Sequence, residues 1–157
     1  MRLILDHNAA VASFVAQLIP HCSRGFGPCQ TIGIIDDEGR LVAGLVYHNY
    51  DPESGIVEIS GAALPGKQWL TRGTIQAMYG YPFHGLGCQM IVQRTPSSDV
   101  RLLGMLAAYD YHFIAVPRMF GRDNDGVLCC LTREAWEANR FNRRFKHHLK
   151  PELREAA

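Results

Sequence analysis

Glu58 stands among three β-branched residues, Ile56, Val57 and Ile59, in a run that reads as a largely buried strand. A carboxylate held in such a run is a candidate proton acceptor. Pro65 and Gly66 then punctuate the chain. From Leu70 onward, apolar or small residues fall at positions 70, 73, 74, 77, 78 and 81, the three/four spacing of one helical face. A strand that delivers its chain into a helix N-terminus exposes unpaired backbone N–H groups and partial positive charge, a natural phosphate site. The carboxylate is therefore placed to serve as a base beside whatever the phosphates anchor.

The flanking elements must position this pair. Residues 1–5 read as a short strand. Asp6, His7 or Asn8 is a candidate cap for a helix with Val11, Phe14, Val15, Leu18 and Ile19 on its apolar face. Two strands, 31–35 and 41–47, are joined by the Asp36–Gly39 turn. After the central helix, 88–94 reads as a strand. Ser97 or Ser98 is a candidate cap for a helix with Asp99 in its first turn and a core stripe of Leu102, Leu103, Leu106 and Ala107. Strands at 112–118 and 126–131 follow. The order β-α-β-β-β-α-β-α-β-β predicts an α/β fold: a mixed, mostly antiparallel sheet with helices on both faces, closed by a basic C-terminal helix.

The 157 residues suit one domain with a sizeable core, and 16 basic against 15 acidic side chains name no partner. No apolar run reaches the length of a membrane span and no signal-peptide core opens the chain, which predicts a cytoplasmic protein without membrane contact. The five cysteines include no CxxC pair and read as free thiols; Cys129 and Cys130, adjacent in a strand, point to opposite faces. The seven histidines lack ligand spacing, so no metal is expected.

Four local patterns in this order resemble the GNAT superfamily of acetyl-CoA-dependent N-acetyltransferases, nearest to the subgroup that acetylates ribosomal-protein N-termini. Val57-Glu58-Ile59 is similar to that family's fourth strand. Gly73 to Met78 is similar to the helix after its acetyl-CoA loop. Asp99 to Arg101, continuing through Tyr109-Asp110-Tyr111, lies where the family has "N-x-R … L-G-F". Leu131 to Trp136 is similar to its closing strand and "R-x-E-W". The resemblance covers residues 1–136, as an acyltransferase-like domain, and leaves 137–157 as a basic amphipathic tail. It implies acetyl-CoA as co-substrate and an amine acceptor, either a small molecule or a protein N-terminus. Glu58 would be the base. Pantetheine would pair along Ser60 to Ala63, with an amide near Ala62 for the oxyanion. The amides of Trp69, Leu70, Thr71, Arg72 and Gly73 would meet the pyrophosphate, with Asp99 completing the cofactor contacts.

Several residues depart from the pattern. Leu70 and Arg72 stand where the family's loop has glycines, Asp110 replaces the glycine of "L-G-F", and Leu106 stands where many members hold a general-acid tyrosine. A catalytically silent acyl-CoA-binding module, or a nucleic-acid-associated or modifying protein on the same fold, are the alternative readings. Gly61 to Lys67 also fits a nucleotide P-loop, but Gln68 replaces the magnesium-binding hydroxyl and Pro65 removes an amide, so the segment reads better as a loop toward coenzyme A. The tail sets Arg140, Arg143, Arg144, Lys146, His147, His148 and Lys150 beside Phe141, Phe145, Leu149 and Leu153. Packing on the domain or in a homodimer is expected of it, rather than nucleic-acid binding.

Overall fold

The computed structural model describes residues 1–142, so Arg143 and the rest of the basic tail lie outside the described residues. The chain divides into two compact units, Met1–Arg94 and Thr95–Ala157.

The first unit begins with strand β1 (Arg2–Ile4) and helix α1 (Asn8–Leu18), which a 3-10 turn at Pro20–Cys22 follows. His7 occupies the N-cap of α1 without a side-chain bond. Asn8 does not cap either: its Oδ1 accepts from Thr31 N at 2.8 Å and Thr31 Oγ1 at 3.0 Å, tying the helix start to β2 (Cys29–Ile35). Strands β3 (Leu41–Asp51) and β4 (Ile56–Ala63) complete an antiparallel meander. β3 outruns the predicted strand by four residues, through the Tyr47 to Tyr50 segment. Helix α2 (Arg72–Gly80) passes into a π-helical turn at Tyr81–Gly85, and β5 (Met90–Pro96) returns parallel to β4. The helix therefore starts two residues after Leu70, because Thr71 and Thr74 form a reciprocal capping box there.

α1 crosses β2 and β3 at a notch of two paired glycines, Gly33 and Gly44. A Cβ on Gly44 would stand 2.7 Å from Val15 Cγ2 and 2.8 Å from Val11 Cγ1. Both valines are fully buried and stiff at χ1, so neither can move aside cheaply. We expect Gly44→Ala to destabilise the fold by about 1–3 kcal/mol. A denaturant midpoint equal to the parent's would show that α1 can shift off the strands to admit the methyl group.

The second unit carries α3 (Val100–Ala108), the β6 (His112–Val116) and β7 (Gly126–Thr132) hairpin, and α4 (Arg133–Ala138). Asp99 itself caps α3, its carboxylate accepting from Leu102 N at 3.0 Å, in place of Ser97 or Ser98. Leu102, Leu103 and Leu106 face inward as predicted, but Ala107 is exposed. Asp110 has φ +64°, which explains a glycine in that place in the resembling family. Its carboxylate accepts from the buried Asn139 amide. Phe141 packs on Tyr109 at 4.9 Å between ring centroids, so the first aromatic of the tail lies on its own unit.

The strands form one seven-stranded sheet in the order β1-β2-β3-β4-β5-β7-β6. The mixed, mostly antiparallel α/β architecture is the one the sequence predicts. Among the described residues no helix is long and apolar enough to cross a membrane.

Candidate functional site

The site lies in the first unit, where β5 parts from β4 while β4 stays paired with β3. The parallel β4–β5 ladder has three rungs, Ile56↔Met90, Val57↔Ile91 and Glu58↔Val92. β4 runs on to Ala63, so Glu58 stands at the last rung before an open edge. Leu64 N donates to Val42 O across the β3–β4 pair. Amides alternate along a strand, so in this register those of Glu58, Ser60 and Ala62 face β3, whereas Gly61 and Ala63 direct theirs to the open side. The sequence-predicted oxyanion amide at Ala62 is thus turned toward β3, and its two neighbours are turned outward.

His48 lies directly opposite Glu58 across the β3–β4 pair, so both side chains rise from the face that α1 covers. Beyond that pair β3 bulges: Asn49 and Tyr50 stand against the single residue Val57, and Asn49 has φ +49°. The bulge turns Asn49 Nδ2 onto Glu58 Oε2 at 2.9 Å. From β5, Arg94 Nε donates to Glu58 Oε1 at 2.7 Å. Burial of the carboxylate raises its pKa, but the bonds from Arg94 and Asn49 and the neighbouring charges outweigh this and hold it below the usual range. Glu58 is therefore ionised at neutral pH and weakly basic.

The His48 ring is 4 % exposed, meets Phe26 at a tilt of 52° with ring centroids 4.9 Å apart, and places Nε2 3.1 Å from Ser60 Oγ. Its Nδ1 is 4.0 Å from Glu58 Oε2, too far for a direct hydrogen bond. Burial lowers the His48 pKa; Glu58 opposes this and Arg94 adds to it, so the ring is neutral at pH 7. From the 3-10 turn, Cys22 sits near Ser60, and burial pushes its thiol up. His21, on the same turn, is also lowered, by burial first and then by Arg94. All five cysteines are free thiols.

Both His48 and Glu58 bind protons less readily folded than unfolded, so their stabilising contribution is complete above the unfolded pKa and lost as pH falls. The His48 loss begins near its ordinary value of 6.5, and the Glu58 loss below 4.5. We expect the melting temperature to decline in two stages on acidification, with His48→Gln reducing the first. An identical slope in the variant from pH 6.5 to 5 would remove the ring as its source.

On the opposite face of the sheet lies a cavity of about 590 Å³. Gln30, Tyr47, Asn49, Tyr50, Val57 and Tyr81 line it, so Asn49 joins cavity and carboxylate. Tyr47 donates its hydroxyl to Met78 O at 2.8 Å and meets Tyr81 edge-on at 4.9 Å. Periodicity in the sequence does not reveal the cavity; the local signal beside it is the run Tyr47-His48-Asn49-Tyr50, whose hydrogen-bonding rings read more readily as structural packing than as ligand contacts.

At the start of α2, Thr71 Oγ1 accepts from Thr74 N at 3.2 Å and Thr74 Oγ1 from Thr71 N at 2.8 Å. Thr74 Oγ1 also donates to Trp69 O at 2.7 Å. The cap thus engages the Thr71 amide, one of the five expected at a pyrophosphate. Leu70 and Arg72 have ordinary negative φ, so the side chains replacing the family's glycines create no backbone strain. Lys67 is 3.9 Å from Asp36. Asp99, in the second unit, uses its carboxylate as the α3 cap. Leu106, at the family's tyrosine position, is 2 % exposed and offers no proton. Among the described residues no group of three or more His, Cys, Asp or Glu is placed to hold a metal ion.

This architecture is the fold of the GNAT acetyltransferases. A single-substitution variant of the spermidine N-acetyltransferase SpeG from Vibrio cholerae superposes with a TM-score of 0.70 at 11% identity, over 88% of this chain and 98% of that one. SpeG in complex with manganese ions gives 0.69 at 11% identity, over 86% and 94%. A second variant gives 0.63 at 13% identity, over 71% and 69%. These neighbours are polyamine acetyltransferases, so they support the acetyltransferase fold and not the ribosomal-protein subgroup. No protein-family model matches the chain, and no curated protein matches its sequence.

Proposed function

We propose that this chain transfers an acetyl group from acetyl-CoA to an amine. The observation that carries the reading is a carboxylate, Glu58, at the last rung of a parallel ladder whose next strand residues present free-facing edge amides. The open β4 edge from Ser60 to Ala63 suits an extended pantetheine arm, with Gly61 and Ala63 N–H directed toward it. Either amide is oriented to polarise a thioester carbonyl and to take its developing negative charge. The turn from Trp69 through Leu70 and Arg72 to Gly73 would offer a pyrophosphate its helix-start amides, other than that of the capped Thr71, together with one guanidinium. Glu58 removes the proton that the acceptor nitrogen sheds as its bond to the acyl carbon forms. Thiolate departure needs no dedicated acid, in keeping with buried Leu106. Residues 1–136 would form the catalytic domain. The tail would pack on it or support a homodimer, as an assembly is known for SpeG in a dodecameric form. A cytoplasmic location fits this chemistry.

Calorimetric titration of acetyl-CoA, followed by thiol release with a panel of amines, tests the reading. Saturable binding with amine-dependent release is expected. Binding without release would make the chain a silent acyl-CoA module, and no binding would refute the assignment. Arg72→Glu is expected to weaken acetyl-CoA binding by setting a negative charge beside the pyrophosphate. Unchanged affinity would move the phosphate site elsewhere.

A further inference from the structure

We infer that Ser60 is an acyl acceptor, and that without an amine this chain hydrolyses a small acyl thioester through an acetyl-Ser60 ester. The inference goes beyond amine acetylation and shares with that reading the thioester held at the β4 edge. Two independent observations carry it.

The first is the company of the Ser60 hydroxyl. Ser60 follows Glu58 by two positions on β4, so both side chains rise from the face where His48 of β3 stands opposite Glu58. His48 Nε2 is 3.1 Å from Ser60 Oγ, and Nδ1 is 4.0 Å from Glu58 Oε2. The carboxylate favours a proton on the nearer nitrogen, Nδ1, which leaves Nε2 to accept from the Ser60 hydroxyl. The ring is neutral at pH 7 and so able to take that proton. The imidazolium then formed lies beside an ionised carboxylate, whose help is electrostatic because the gap is wider than a hydrogen bond. Serine, imidazole and carboxylate thus stand in the order in which hydrolases activate a serine, with a looser last link. Cys22 is the rival nucleophile beside Ser60, but it is buried and burial pushes its thiol up, so it offers little thiolate.

The second is the amide that follows. Gly61 directs its N–H to the open side of β4. In serine hydrolases whose nucleophile ends a strand, the amide of the next residue receives the oxyanion. A carbonyl oxygen on Gly61 N–H therefore brings its carbon toward the preceding side chain, that of Ser60. Ser60 is half-buried and Gly61 exposed, so the approach is open to solvent. In the first step Ser60 Oγ attacks the thioester carbonyl carbon and its proton passes to His48 Nε2. The C–S bond breaks, and coenzyme A leaves as the thiolate and takes the proton from Nε2. Water then attacks the acetyl-Ser60 carbonyl and gives a proton to Nε2. The C–Oγ bond breaks, Oγ recovers that proton, and the acid formed ionises in solvent. Acetyl-CoA and water yield acetate, the free thiol and one proton, with no oxidant or reductant required.

The test gives the full-length protein acetyl-CoA, and separately 4-nitrophenyl acetate, with no amine present. Release of thiol or nitrophenol is followed, and the quenched protein is mapped by peptide mass spectrometry. Saturable release is expected, with one acetyl group on Ser60. Ser60→Ala should lose that adduct, and both it and His48→Gln should slow release by about 10²-fold. A circular dichroism spectrum matching the parent's would show that the lost release reports the side chain and not unfolding. Release by Ser60→Ala at the parent's rate would overturn the inference, as would an acetyl group found on Cys22 in place of Ser60. Amine acetylation with neither Ser60-dependent release nor the adduct would refute the inference and leave the transfer reading standing. Acylation of Ser60 by 4-nitrophenyl acetate in a protein that binds no acetyl-CoA would support Ser60 as the acyl acceptor and refute the transfer reading.

Discussion

Glu58→Gln is expected to lower kcat for amine acetylation by about 10²–10⁴-fold while leaving acetyl-CoA affinity near the parent value. The carboxylate receives two donors, Asn49 Nδ2 and Arg94 Nε, on separate oxygens. An amide keeps the shape and one acceptor but cannot take a proton from the acceptor nitrogen. It also turns an NH₂ toward one of the two donors, so a modest local shift accompanies the loss. The cofactor contacts proposed at the open β4 edge and at the α2 start are made by backbone and by residues distant in sequence from the carboxylate, which is why binding and turnover should separate. Calorimetry with acetyl-CoA and steady-state thiol release give the two readouts. A variant as active as the parent at pH 7 would show that Glu58 serves only to hold Arg94 and Asn49 together.

Phe83→Ala should produce the largest loss of stability, about 3–5 kcal/mol. Phe83 is fully buried in the π-helical turn between α2 and β5. Its ring is removed from water completely, and a turn pinned by Leu86 N to Tyr81 O and Cys88 N to Pro82 O has little freedom to collapse into the space left behind. At about 2–4 °C per kcal/mol for a chain of this size, the melting temperature should fall by roughly 10 °C. A fall of only a degree or two by scanning calorimetry would mean that the turn re-closes around the missing ring. The same turn presents Tyr81 to the cavity, so the variant should also disturb that wall of it.

The sequence by itself determined the order of elements and the place of Glu58. Local patterns carry both: β-branched neighbours define its strand, and Pro65-Gly66 and the spacing after Leu70 define the turn and helix. Where several candidates for one helix cap were adjacent, the sequence did not choose. Asp99 rather than a serine caps α3, and Asn8 binds β2 instead of capping α1, because a polar side chain goes to whichever unpaired group the tertiary fold brings near. Register was also beyond reach. Only the pairing with β3 turns the Ala62 amide inward and sets Gly61 and Ala63 on the open edge, since a shift of one residue reverses every amide and side chain. The bulge at Asn49 and Tyr50 follows from how β3 meets β4, and it alone brings the Asn49 amide to Glu58. Arg94 lies 36 positions from Glu58 in sequence, and their pairing across parallel strands decides that the carboxylate is ionised and weakly basic. The residue types were written in the chain, but their charge state and company were decided by contacts between strands, which no local pattern encodes.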